Sequence, residues 1–284
     1  MSITITFPLG YKPVLKHGDH DQSTHGAWST GGSENSSSES NLNSMPYEWK
    51  PKGGNYGKEL SPEKYKETLD LYKEIAKAPI AIQLHPQELE SIIADGRFKS
   101  LGEISSEDKY KEIYLEGRSE IENNLWGVPK TGTQPIYGYL DTKVDGHEPA
   151  TQIYGDVKIT LKDNVAERAT FTAGDSLNNF LTPVLVKDAR EGKISNADLV
   201  GSFRSYVEYP ATEYRSYYQT IGPTENFQGG KRVSYFEAQI HGGISLKDIK
   251  SVDVTAQTGY TPPVSQKVIE SLRANGIEVI KTNG

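Results

Sequence analysis

The chain predicts an α+β domain. Three observations carry this. Short apolar or alternating stretches of strand length recur between Ala78 and Ile280. Helical patterns gather early in the globular region and at its C-terminal end. The two kinds of element do not alternate one for one, as a doubly wound parallel sheet would require.

Taken in order, Ser61-Pro-Glu-Lys64 opens a helix, with Ser as N-cap, Pro at the first position and an acid next. That helix runs to about Lys77. Ala78 to Leu84 is apolar and reads as a strand. His85-Pro86 opens a second helix with Leu89, Ile92 and Ile93 on one face, and Gly96 ends it. Residues 107–125 are charged and helical in pattern. Gln134 to Leu140, with Tyr137 and Tyr139, reads as a strand, and Gly155 to Leu161 alternates as another. Ala169 to Phe171 is a short strand that ends in Thr172-Ala-Gly-Asp-Ser176. Pro183 to Val186 is a strand or a helix lead-in. The segment Val233 to Ile249 holds a buried strand, a Gly242-Gly243 turn and the apolar pair Leu246 and Ile249. A strand at Ile249 to Val254, a helix from about Pro263 to Ala274 and a last strand at Ile277 to Ile280 complete the series.

Three zones divide the chain of 284 residues. Residues 1–28 begin with a short alternating stretch, Ile3 to Phe7, and end in a His-rich segment. Residues 29–45 are Ser, Gly, Asn and Glu with almost nothing to bury, the composition of a flexible linker. Residues 46–284 are globular in composition. No Cys is present, which excludes disulfides, thiolate metal sites and a cysteine nucleophile. The formal net charge of −7 disfavours a broad nonspecific nucleic-acid surface, which needs clustered Lys and Arg. No run approaches the roughly 18 apolar residues of a membrane span, and Met1 to Leu15 lacks the pattern of a secretion signal. Neither a membrane partner nor export is expected. The 17 Tyr against 7 Phe suit polar ligand clefts and interfaces.

Glu237 stands alone as a carboxylate within an apolar strand. Burying an acid costs free energy unless it has a partner or a task. The residues alone allow two readings: a strand edge whose Glu faces water, or a catalytic acid held on a rigid element. His17, His20 and His25, with Asp19 and Asp21 between them, have spacings that suit a divalent ion. The segment is Gly-rich and adjoins the linker, with no rigid outer shell evident, so no metal requirement is expected. Between 203 and 221, Arg204, Tyr206, Tyr209, Tyr214, Arg215, Tyr217 and Tyr218 interleave basic and aromatic groups. That pattern fits stacking on single-stranded nucleic acid, or a Tyr-rich loop over a cleft. Glu208 and Glu213 dilute the charge and favour the loop.

Three pieces together resemble the ADP-ribosyltransferase superfamily. Ile82-Gln-Leu-His-Pro-Gln-Glu-Leu-Glu-Ser-Ile-Ile-Ala-Asp-Gly96 looks like the opening strand and helix of DNA-targeting ADP-ribosyltransferase toxins from bacterial toxin–antitoxin pairs. Arg168-Ala-Thr-Phe-Thr-Ala-Gly-Asp-Ser176 is similar to a threonine-glycine strand end in the same toxins. Phe236-Glu-Ala-Gln-Ile-His-Gly-Gly-Ile-Ser-Leu246 resembles the superfamily's final catalytic element. A nearer likeness, over about residues 80–255, is to an uncharacterised bacterial family. It is carried by His85-Pro86, Asp95-Gly-Arg97, Pro135-Ile-Tyr-Gly138, the Arg168 to Ser176 block and Tyr235 to Gly242. The His-rich run Lys16 to Gly26 resembles a short motif recurring in tailed-phage and prophage proteins, head-assembly proteins among them.

The superfamily resemblance implies a split, mixed or antiparallel sheet core with flanking helices. It implies NAD as substrate, Glu237 as catalytic acid, and His85, Arg97, Tyr137 and Thr172 on the dinucleotide. Gln239 and His241 would lie toward the acceptor, an unidentified host protein or nucleic acid. The position two before Glu237 is Tyr235, where the best-known transferases carry Glu or Gln, so the target type stays open. Four of these residues also have a plainer reading. His85 can cap a helix, Arg97 can be a solvated charge at a helix C-terminus, Tyr137 can be a core strand residue, and His241 can cap its strand. The phage-like motif implies phage origin and a packaging, docking or processing tag; joined to the superfamily resemblance, it implies a phage-encoded, toxin-like effector in the virion or the host cytoplasm. Its rival is a virion-associated protein of another class, docking to phage head proteins through the N-terminal segment without catalysis.

Overall fold

The computed structural model describes residues 59–100, 103, 122, 125–126, 134–142, 154–174, 176, 181–203, 236–255 and 263–281. The His-rich segment with His17, His20 and His25, the linker, the Tyr-rich stretch beyond Phe203, and Tyr235 lie outside the described residues. So does most of the helix expected at 107–125. Within it, Glu122 and Leu125 are helical, as is Trp126 beyond it.

One mixed sheet organises the described residues. Its strands are β1 (Ile80–Leu84), β2 (Ile136–Leu140), β3 (Val157–Leu161), β4 (Ala169–Thr172), β5 (Val184–Leu185), β6 (Phe236–Ile240), β7 (Ile249–Asp253) and β8 (Glu278–Ile280). They lie in the order β5-β4-β6-β2-β1-β3-β7-β8. Every pairing is antiparallel except the parallel β7–β8 pair. Flanking it are α1 (Pro62–Ala76), α2 (Pro86–Asp95), α3 (Val186–Glu191), α4 (Asn196–Phe203) and α5 (Gln266–Ala274). The architecture is α+β, with a mixed sheet and flanking helices.

Local chemistry explains most boundaries. Ser61 caps α1 by accepting the Lys64 N–H, and Gly96 ends α2 in the left-handed conformation at φ 72°. The α5 helix starts at Gln266 rather than Pro263, because Ser265 is the residue whose hydroxyl takes the Val268 N–H. At Pro183 to Val186 both expected outcomes occur. A two-residue strand forms on β4, and α3 begins at Val186. Neither α3 nor α4 was expected as a full helix. At six and eight residues they are too short to show a helical period clearly. The 3-10 stretch Asp163–Arg168 before β4 was likewise unforeseen.

The sheet has two unlike faces, set by period-two alternation along each strand. On one, Phe171, Ala238 and Gly138 stand abreast across β4, β6 and β2, with Ala169, Ile240 and Ile136 in the next row. Tyr72 of α1 packs on Phe171 with ring centroids 5.4 Å apart, and α1 lies against α3 and α4 over this apolar layer. On the other face, Thr172, Glu237 and Tyr139 form one row, and Thr170, Gln239 and Tyr137 the next. Ala81, Thr160 and Ser251 extend the first of these rows across β1, β3 and β7.

Two glycines make the close packing of β1 possible: a Cβ on Gly138 would lie 2.4 Å from the Ala81 carbonyl oxygen, and Gly155 abuts the end of the strand. Gly155 has φ 135°, and a Cβ there would lie 2.1 Å from the Leu84 carbonyl carbon. Its own carbonyl accepts from the Gln83 side chain at 2.9 Å, and Gln83 Oε1 accepts from the Tyr139 hydroxyl at 2.9 Å. The backbone approach that only glycine permits thus orients a side chain on the polar face.

Candidate functional site

Glu237 lies on β6, a central strand between β4 and β2, and is 6% exposed. The alternative of a strand edge with its carboxylate in water is therefore excluded. Three donors converge on Oε1: the Ser176 hydroxyl at 2.5 Å, the Gln239 amide at 2.8 Å and the Ser176 backbone N–H at 3.2 Å. A buried acid needs such partners. Ser176, a helical residue beyond β4, reaches it, and Thr172 braces the end of β4 by donating to the Gly174 carbonyl at 2.6 Å.

The network continues along the strands. Gln239 also donates to Thr172 Oγ1 at 3.3 Å, and its Oε1 accepts from the Thr170 hydroxyl at 2.8 Å. Thr170 Oγ1 lies 3.0 Å from His241 Nε2. The Trp126 ring meets His241 edge-on at 5.5 Å, and Glu122 Oε1 accepts from the Tyr137 hydroxyl at 2.9 Å. Residues from the segment around 122–126 therefore touch this face of the sheet.

His241 is wholly buried, and its pKa is pushed from the ordinary 6.5 to about 3, first by burial and second by the Arg168 charge. An acid-stability prediction follows. Between about 3 and 6.5 the unfolded chain binds a proton that the folded chain refuses. Stability should therefore fall as pH drops below the unfolded value, by at most about 1.4 kcal/mol per pH unit from this group. Above that value its contribution is flat. Urea unfolding followed across the window should show a shallower acid slope in His241→Gln than in wild type. Equal slopes would show that another group sets it.

The expected site residues do not all meet. Thr172 and Glu237 are direct cross-strand partners, and half-buried Tyr137 is the partner of Gln239 on the same face. Gln239 and His241 adjoin Glu237 along β6. Both are fully buried and belong to the hydrogen-bonded network around the carboxylate. His85 stands apart. It is exposed at the start of α2, where its backbone N–H donates to Glu88 at 2.8 Å. By strand register it lies roughly 16 Å from Glu237, two strand spacings across and four residues along. Arg97 is exposed too and paired with Glu103 at 2.8 Å. The hydrogen bond that Arg97 donates to Glu103 is the main cause of its raised pKa.

Ser176, Thr170, Gln83, Tyr139 and Arg168 were not singled out from the sequence as site residues. A signal for the first layer was present: Glu237, Gln239 and His241 recur at period two, as do Thr170 and Thr172. Among the described residues, no three His, Asp or Glu side chains cluster closely enough to hold a metal ion. Nor does any helix among them have the length and apolar character to cross a membrane.

No protein-family model matches the chain. The chain is similar to two phage proteins. It is 27% identical to the Gene 2 protein of Mycobacterium phage D29 over 197 residues, covering 67% of this chain and 68% of that protein. It is 30% identical to the Gene 2 protein of Mycobacterium phage L5 over 176 residues, covering 56% and 62% respectively. Both relatives are phage proteins, the class to which the His-rich motif pointed.

Proposed function

We propose that the polar face of β4, β6 and β2 binds NAD and that Glu237 is the catalytic carboxylate for transfer of ADP-ribose to an unidentified acceptor. The observation that carries this reading is the placement of Glu237. One carboxylate, on a central strand, has an oxygen pinned by Ser176 and Gln239. Pinning of this kind suits a group that must meet developing positive charge in a fixed position. In the reaction, the bond from ribose C1′ to the nicotinamide nitrogen breaks and nicotinamide leaves with the electron pair. The acceptor nucleophile bonds to C1′, and its proton passes to Glu237. Tyr137 offers a ring beside the acid for the nicotinamide. His85, at the far end of the same sheet region, takes the adenosine side of the extended dinucleotide. Arg97 is committed to Glu103 and is assigned no ligand. No metal is needed.

A second reading has its own support. Because the donors around Glu237 are satisfied within the fold, the same network suits a non-enzymatic scaffold of a virion-associated protein. One pair of measurements separates the two. NAD at about 100 times its dissociation constant should stabilise an NAD-binding protein by about 2.7 kcal/mol, seen as a raised melting temperature. Labelled NAD incubated with host lysate should then leave covalent label on a macromolecule. No thermal shift and no label would reject the transferase and leave the scaffold.

A further inference from the structure

We infer that His241 is a positioning residue, held as its Nε2–H tautomer at the start of a one-way hydrogen-bond chain through Thr170 and Gln239 to Glu237. The direction of the chain is a property of the fold. Its consequence for catalysis rests on the reading above.

The direction follows from two fixed acceptors. Glu237 Oε1 receives both the N–H and the O–H of Ser176. The Gly174 carbonyl accepts the only hydroxyl hydrogen of Thr172. Gln239 meets the first acceptor at 2.8 Å and the oxygen of Thr172, its hydrogen already spent, at 3.3 Å. Both neighbours require the amide NH2 on that side. The reverse orientation would set a carbonyl oxygen against a carboxylate oxygen and a hydroxyl lone pair. The amide oxygen of Gln239 therefore faces Thr170 and takes its single hydroxyl hydrogen at 2.8 Å. Thr170 has no hydrogen left for His241, whose Nε2 is 3.0 Å away. That contact is a hydrogen bond only when Nε2 carries the proton. The Nδ1–H tautomer would press two lone pairs together in a fully buried place.

Each link has one job. His241 fixes the lone pair of Thr170, Thr170 fixes the amide of Gln239, and Gln239 fixes the oxygen of Glu237. Side chains on two adjacent strands thus share one polarity. None of the first three contacts solvent, so their role is to aim the acid.

Nitrogen-15 spectra of histidine-labelled protein test this without NAD. The resonance of His241 among the six histidines is identified by its loss in His241→Asn. At neutral pH the wild type should show a protonated Nε2 and an unprotonated Nδ1, as a single tautomer. Thr170→Ser should keep that pattern, and Thr170→Val, which removes the hydroxyl, should give a mixture. A wild-type Nδ1–H tautomer would overturn the inference, and so would an unchanged spectrum in Thr170→Val. If Thr170→Val does not fold, the wild-type spectrum still decides. A wrong tautomer leaves the transferase reading standing, and absence of transfer leaves the tautomer standing, so the two failures are distinct.

Discussion

Under the proposed transferase function, Glu237→Gln is expected to lower ADP-ribosyl transfer about 10²–10⁴-fold, the usual contribution of a positioned acid or base, with little change in stability. The substitution is informative because the amide is nearly the same shape. Its oxygen can still accept from Ser176 and Gln239, the three contacts that hold Oε1. What disappears is the negative charge, and with it both the stabilisation of a cationic ribose and the ability to take the acceptor's proton. Glu237→Ala is a poorer probe. It would leave the Ser176 hydroxyl and the Gln239 amide buried without their acceptor, at about 1–3 kcal/mol for each unsatisfied group. Lost activity would then be mixed with a loosened strand. The measurement is covalent labelling from NAD, compared at matched folded fraction by unfolding midpoint. Equal labelling by wild type and Glu237→Gln would remove Glu237 as the acid. Equal NAD-induced thermal shifts in both, with label lost only in the variant, would place the residue in the chemical step rather than in binding.

Much of the fold was legible because its elements obey local rules. Ser61 and Gly96 mark helix ends by capping chemistry, and the apolar runs in β1, β6 and β7 mark strands by what they bury. The short helices after β5 were not legible, since one or two turns carry almost no period. The order of strands was hidden as well. β6 pairs with β2 and β4, far apart in sequence, and only that pairing turns Glu237 from an edge acid into an interior one. The site divides along the same line. Glu237 and Thr172 could be named from sequence, and they are register partners. Ser176 could not be connected to Glu237, because 61 residues separate it from the strand it serves. His85 shows the converse. Its neighbourhood in sequence suggested the site, yet antiparallel register carries it away from Glu237 along the sheet.

Arg168 is the second residue whose replacement should have a large effect, here on stability. Arg168→Met is expected to cost about 3–5 kcal/mol, the range for breaking a buried ionic contact from one side. The guanidinium is completely buried just before β4. One nitrogen donates to the carbonyls of His241 and Gly243, and another lies 3.3 Å from Asp248. Burial lowers the Arg168 pKa from its ordinary value and the Asp248 charge opposes that, so the charge is kept at a desolvation cost that its contacts must offset. What it holds is the chain reversal after β6. Gly242 and Gly243 both have positive φ, 77° and 78°, and the Gly243 carbonyl is drawn inward to the guanidinium. Methionine matches the length of the side chain but supplies no donor, so the buried His241 carbonyl and the half-buried Gly243 carbonyl would both lose this partner. Asp248 would suffer less, since it also accepts from the Ser245 N–H and hydroxyl at 2.8 and 3.0 Å. Adding Asp248→Asn to Arg168→Met should therefore recover only part of the loss, because the charge is removed while the carbonyls stay orphaned. Urea midpoints at a constant m-value measure both variants. A cost under about 1 kcal/mol for Arg168→Met would show that the turn holds itself. A full recovery in the double variant would locate the whole penalty in Asp248. The partial recovery expected here identifies Arg168 as the residue that ties the end of β6, and through His241 the support of Glu237, to the start of β4.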